Sequence, residues 1–340
     1  MPRLLDLPHR DAERVLATGA PVFLPVNPVE YHGPHLSLHN DRLISLALAE
    51  RLHARLAVRH PEWPYLLAED VELGVEPCPG PGTRHTPYPT AVRVVREACR
   101  ALAELGAQRV IFMTFHGSPL HAGALEEGID ELAKRGVPAY SPFNLVVRNL
   151  VEPGDVDLYA EAVQHVPFAE RASVLRELPL DFHAGFFETS MALWAAPDSV
   201  SSSYRELPPC PPIPIDVRLE VASVVAGLAG KTQLARDLEF ASRGIGWQKI
   251  RPFPGYTGRP ALASREAGEV FARAIVELYD APADDVLFGR VRSPEPIMQW
   301  TKRATLDGRI PSAPHPTMSE ILRVPLVRGF SPRTAFACST

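Results

Sequence analysis

The stretch "LPVNPVEYHGPHLSLHND", residues 24–41, decides how the chain is read. It places Glu30, His32, His35, His39 and Asp41 within twelve positions. In front of it lies "PVFLPV" (21–26), an apolar run of the kind that forms a buried strand. Behind it Leu43, Ile44, Ala47, Leu48 and Leu52 recur at helical spacing, with Asp41 placed as the helix N-cap. A carboxylate at a helix start can also hold a cation, so the two roles are compatible. Side chains alternate along an extended backbone, so Glu30 and His32 point to the same side. They do so just past the carboxyl end of a strand, where open α/β sheets keep their ligand crevices. Gly33 and Pro34 turn the chain, and Asp41 arrives at the same place from the helix start.

The arrangement recurs. "TAVRVVREACRALAELGAQ" (90–108) reads as a helix stopped by Gly106, and "RVIFMTF" (109–115) as a central strand that runs into His116. "HAGALEEGIDELAKRG" (121–136) is a third helix, and "VPAYSPF" supplies another strand. "LPLDFHAG" followed by "FFETSMALWAA" repeats the order of strand end, glycine turn and helix, and brings His183 and Glu188. Residues 264–280 make an amphipathic helix. Apolar runs alternating with helical segments predict an α/β domain with a mostly parallel sheet. Three strand ends thus each deliver metal-competent residues, and the mixture of nitrogen and oxygen donors suits zinc, manganese or iron.

Composition bounds the alternatives. With 340 residues the chain can form one large domain, and the pattern weakens only after about residue 282. Residues 1–282 are read as one domain, and 283–340 as an extension packed on it or on a neighbouring subunit. The 36 prolines are about twice the usual share of roughly 5% and gather in loops, which favours rigid, ordered connections. The long segment 196–216, "APDSVSSSYRELPPCPPIPID", is therefore an ordered flap and not a domain boundary. A net charge of −5 gives no footprint for nucleic acid, and no apolar run is long enough to span a membrane. The N-terminus is too charged for a signal peptide, and the four cysteines show no C-x-x-C spacing. These features point to a cytoplasmic protein.

The sequence resembles the creatininase family of metal-dependent amidohydrolases. Residues 24–41 are similar to the family pattern Leu-Pro-x-Gly-x-x-Glu-x-His-Gly-Pro-His-Leu-Pro-x-x-x-Asp, and "DFHAGFFETS" (181–190) to its His-Ala-Gly-x-x-Glu-Thr-Ser motif. Weaker echoes are "GTRHTPYPT" (82–90) and "GYTGRPALASREAG" (255–268). The resemblance implies a three-layer α/β/α fold and a centre of two divalent ions, zinc, manganese or iron. It implies that Glu30, Asp41 and His116 hold one ion, and that Asp41 bridges to a second held by His32 and Glu188. His183 would relay a proton, and a metal-bridging hydroxide would cleave a C–N amide bond in a small molecule or small peptide. No organic cofactor is implied, and a homo-oligomer, for example a hexamer, is.

Departures from the pattern narrow the substrate. The family carries Asn-Gly-His-Gly-Gly-Asn after its central strand, whereas this chain has "TFHGSPLH" (114–121). Creatinine hydrolases place a tyrosine and a ligating glutamate just after that histidine, and here those positions are Gly117 and Ser118. Creatinine is therefore not the expected substrate. The alternatives are a hydrolysis-deficient binding or scaffold subunit, and a metal-dependent lactone hydrolase or isomerase. Among the other histidines, His35 is expected to hold a ligand or the turn. His39 and His121 are read as solvent-facing or substrate-adjacent, and His85 as a loop residue. Trp194 is expected to pack its helix, and the serines 201–203 lack a base that would make a nucleophile.

Overall fold

The computed structural model describes residues 3–151, 156–310 and 316–322. Its centre is a parallel sheet built on β1 (Val22–Asn27). β2 (Leu66–Leu67) and β3 (Val71–Glu72) pair with successive parts of β1, and β4 (Val110–Met113) pairs along its other side and carries β5 (Ala139–Tyr140). Every residue of β1 and β4 is buried, which is why both read as unbroken apolar runs and not as alternating ones.

Helices cover both faces. α1 (His9–Leu16) leads into β1, and α2 (Asn40–Arg59) packs back on it. α3 (Tyr88–Leu105) and α4 (Pro119–Ala133) pack together on the opposite face. There Gly128 of α4 has no side chain, and a Cβ would lie 2.6 Å from Val95 and 3.0 Å from Phe112. α5 (Phe143–Val151) and α6 (Phe168–Glu177) precede α7 (Phe186–Ala195), which packs against α2 and α10 (Arg265–Asp280). Between α7 and α10 stands a hairpin of α8 (Val217–Leu228) and α9 (Thr232–Gln248). Helix ends follow their sequence signals: Gly106 closes α3 at φ 106°, and Ser118 and Ser264 cap α4 and α10 through backbone N–H groups.

Three readings of the sequence need correction. Asp41 is not an N-cap: His39 occupies that position, and the Asp41 carboxylate turns inward and accepts no hydrogen bond from the helix. "LPL" (178–180) forms a 3₁₀ turn and no strand, because Pro179 lacks the N–H a ladder needs, so His183 arrives from a loop. His121 is neither solvent-facing nor substrate-lining but fully buried, between the Val26 carbonyl and the Thr114 hydroxyl. The flap at 196–216 contains two short 3₁₀ turns and is tied to the first motif, since Ser201 N–H donates to the His35 carbonyl (2.8 Å).

Past residue 282 the chain stays on the same body. α11 (Ala283–Leu287) buries Ala283, Val286 and Leu287 in the main core, and the Arg109 guanidinium lies over the Trp63 and Phe288 rings. α12 (Trp300–Ala304) packs on α4, and Ile321 bridges to Phe253. Residues 311–315 and 323–340, which belong to the expected subunit-contacting tail, lie outside the described residues.

One buried side chain stitches the carboxyl end of the sheet. Asn27 Nδ2 donates to the Met113 carbonyl (3.1 Å) and to Ser45 Oγ (2.9 Å), while its Oδ1 accepts from Phe115 N–H (3.1 Å). It thereby fixes β1, β4 and α2 in the register that brings Glu30, His116 and Asp41 together. Asn27→Ala strands the buried partners, and chemical denaturation should register a loss of about 2–3 kcal/mol.

Candidate metal centre

All six residues singled out from the sequence meet at one buried point. Glu30 and His32 lie on the loop after β1, Asp41 in the first turn of α2, and His116 just past β4. His183 and Glu188 come from the loop before α7 and from its first turn. His32 Nε2 is 2.8 Å from Asp41 Oδ1 and 3.7 Å from Glu188 Oε2. His116 Nδ1 is 2.9 Å from Glu30 Oε2 and 3.7 Å from Asp41 Oδ2. The two oxygens of Asp41 thus face two different imidazoles. His183 stacks on His32 with ring centres 4.4 Å apart, and its Nδ1 lies 3.9 Å from Glu30 Oε1.

Each imidazole is anchored by its far nitrogen. His32 Nδ1 meets the Glu30 carbonyl (3.1 Å), His116 Nε2 the Val75 carbonyl (3.0 Å) and His183 Nε2 the Tyr31 carbonyl (2.9 Å). A carbonyl can only accept, so those nitrogens carry protons, and the opposite ones face the centre, where each can offer a lone pair to a cation once any second proton has left. The carboxylates answer in kind: Glu30 Oε2 and both Asp41 oxygens are buried and accept no hydrogen bond of good geometry. Lone pairs facing carboxylate oxygens at 2.8–2.9 Å require positive charge between them. The donor set therefore fits divalent cations, and Glu30, His32 and Asp41, like His32, His183 and Glu188, converge closely enough to share an ion.

The supporting groups explain the rest of the motifs. Cys78 N–H donates to Glu30 Oε1 (2.5 Å), and it is held in place by Pro77 and Pro79 in the rigid "EPCPG" loop. Ala184, forced to φ 49°, turns its N–H onto Glu188 Oε2 (2.6 Å). Gly185 is obligatory: a Cβ would fall 1.6 Å from Asp181 Oδ1 and 2.5 Å from the Thr257 carbonyl. Asp181 accepts from Phe187 N–H (3.1 Å), and Thr257 clamps the His183 backbone in both directions. Asp181, Thr257 and Cys78 also build the site, although nothing in the residue spacing marks them. The signals were present in "DFHAG", "GYTG" and "PCPG", but each residue works through backbone contacts that no spacing reveals. His35 donates to the Thr189 hydroxyl (2.9 Å), which ties the first motif's turn to α7. His39 sits at the edge beside Glu72, His85 is exposed, and Trp194 packs under Arg51.

With protons as the only balancing charge, the cluster holds them on imidazoles. Burial alone would lower His32, but Asp41, then Glu30 and Glu188, push it up to about 10. His116 rises to about 9 against burial through Glu30 and Asp41. Glu30 falls well below the carboxylate range despite burial, because His116 faces it. Burial raises Asp41, and lifts Glu188 to about 8, with His32 opposing both shifts. His183 is lowered to about 3 by burial and by the charge on His32, so it stays neutral.

An imidazole–carboxylate centre of this kind, set at the carboxyl ends of a parallel sheet within an α/β/α frame, defines a metal-dependent hydrolase. The sequence profile described as creatinine amidohydrolase matches residues 6–280, and the chain belongs to the creatininase family, hydrolases of C–N amide bonds. It is 29% identical over 199 residues to a creatinine amidohydrolase of Pseudomonas putida, across 55% of this chain and 68% of that one. Over 133 residues it is 29% identical to a mycofactocin precursor peptide peptidase of Mycobacterium ulcerans (strain Agy99), covering 36% of this chain and half of the peptidase. A creatininase mutant of Zn–Zn type superposes with a TM-score of 0.56 at 22% identity, over 84% of this chain and 99% of that one. The manganese form of creatininase superposes at 0.53 and 22%, over 83% and 97%. These likenesses establish the shared fold. Among the described residues no helix is long and apolar enough to cross a membrane.

Metal uptake should expel the protons on His32 and His116. Both groups are protonated at neutral pH without a cation, so apparent affinity should climb as pH rises from 6 to 8. Competition titration with a chromophoric chelator should show up to about tenfold tighter binding per pH unit for each proton released.

Proposed function

We propose that the protein is a di-metal amidohydrolase for a small linear or cyclic amide other than creatinine. The observation that carries this reading is Asp41, whose two oxygens face His32 on one side and His116 on the other. Glu30, Asp41 and His116 would hold one zinc, manganese or iron ion, and Asp41, His32 and Glu188 the second. Such ions supply Lewis acidity and bring the pKa of a bound water toward about 7.

The chain's own residues do the remainder. Cys78 N–H and Ala184 N–H fix Glu30 and Glu188 so that neither swings away when substrate enters. His183, neutral and anchored through Nε2, keeps Nδ1 free to take a proton and return it to the leaving nitrogen. Gly117 and Ser118 stand where creatinine hydrolases carry tyrosine and glutamate. Ser118 instead caps α4, which leaves Glu188 to complete the donor set. A complete and buried donor set favours hydrolysis over a non-catalytic scaffold. Homo-oligomeric assembly and a cytoplasmic location are carried on the same terms, from the family resemblance and from Cys78, Cys99 and Cys210, which are free thiols.

Purified protein should contain up to two transition-metal ions per chain, and product analysis over formamides, lactams, lactones and small peptides should show amide cleavage. Glu30→Ala and Asp41→Ala should lose metal. His183→Ala should keep the metal and lose about 10²–10⁴-fold in kcat. Loss of metal in the His183 variant would make it a ligand, and an unchanged rate would remove it from the chemistry.

A further inference from the structure

The centre forms the floor of a cavity of about 210 Å³ whose remaining walls are chemically one-sided. Phe143 and Val147 of α5, Phe182, and Phe240 and Trp247 of α9 face the opening, while the Leu178–Pro179 turn closes one corner. Polar groups away from the floor are few: Ser118 and Glu76, which are hydrogen-bonded to each other at the rim (3.4 Å), and Gln248. Among the described residues no lysine or arginine lines the cavity. On the flanking helices, Arg148 donates to the Glu295 carbonyl and Arg243 to the Ile213 carbonyl.

A substrate carboxylate reaching the walls above the centre would meet Glu76 and aromatic rings with no guanidinium or ammonium to receive it, which is a desolvation cost without a partner. An apolar group would meet aromatic and branched walls, the usual lining of a selective ligand pocket. The volume lies below the roughly 300 Å³ that drug-sized ligands begin to need, so it suits an amide with about one ring attached. We infer that the substrate is an uncharged amide bearing a compact apolar group, aryl or branched alkyl, seated between Val147 of α5 and Phe240 of α9. The inference rests on the amidohydrolase reading for the identity of the scissile bond. Its physical content, an apolar subsite beside the centre, is testable without turnover.

Hydroxamic acids chelate zinc through the group that replaces the amide and can carry any side chain. Calorimetry on the zinc-loaded protein should show benzohydroxamic acid binding at least about tenfold tighter than acetohydroxamic or succinic monohydroxamic acid, the scale set by filling a hydrophobic subsite. Phe240→Ala, at a half-buried position that tolerates truncation, should erase most of that preference, whereas Phe240→Leu should retain it. Val147→Arg should invert the order in favour of the succinic compound. In parallel, formanilide and N-formylglycine are offered as substrates. Equal affinities, or tighter binding of the succinic compound to the unaltered protein, would overturn the inference and leave the hydrolase reading standing wherever amide turnover is seen. Selective binding of the aryl compound with no amide cleaved in the panel would support the subsite and overturn the hydrolase reading. Failure of all three hydroxamates to bind would overturn both.

Discussion

Asp41, Glu30 and Glu188 bring three carboxyl groups out of water into one small space, and each buried ion costs several kcal/mol unless it is compensated. His32, His116 and His183 surround them, and together the six form a cluster that is stable only with positive charge inside it. Protons on two imidazoles are one way to supply that charge, and divalent cations are the other. The backbone carbonyls of Glu30, Val75 and Tyr31 take the outer ring nitrogens in either case, so the inner ones of His32 and His116 carry a proton when no cation is present and are freed as lone pairs when one enters. Orientation of the rings suits the cluster to a cation, because every inner nitrogen points at the carboxylates.

The frame around the cluster is correspondingly stiff. Two parallel strand ends, two helix starts and one strained loop deliver the six side chains, and polar contacts in the interior pin them. Asn27 holds the strands, Asp181 and Thr257 hold the His183 loop, and the left-handed Ala184 aims an N–H at Glu188. None of these residues touches the reacting atoms. Their removal would blur the centre by ångströms, which is enough to spoil a chelate.

Much of this was legible from the sequence, for physical reasons that differ by element. β1 and β4 could be read because strands buried on both faces appear as short apolar runs, and α3 and α10 because glycine and serine mark their ends. The convergence of the six side chains could be read because they sit at turns next to strands and helix starts and match a family pattern. The α8–α9 hairpin was not anticipated: Val221 and Leu228 of α8 are 57% and 86% exposed, so its apolar residues do not mark a core face. Asp41 was misjudged as a cap because capping and metal binding favour the same residue at the same place, and only the direction of the carboxylate separates them. Asn27 stands where the family pattern has glycine, and its role is visible only in the contacts to Met113, Phe115 and Ser45.

The central claim is that one carboxylate, Asp41, is shared between two cations. Anomalous diffraction at the zinc edge on crystals of the zinc-loaded protein would test it most directly. Two peaks are expected to flank the Asp41 carboxylate, about 3.5–4 Å apart, one on the His32–Glu188 side and one on the Glu30–His116 side. A single peak, or peaks that leave Asp41 bonded to neither ion, would contradict it.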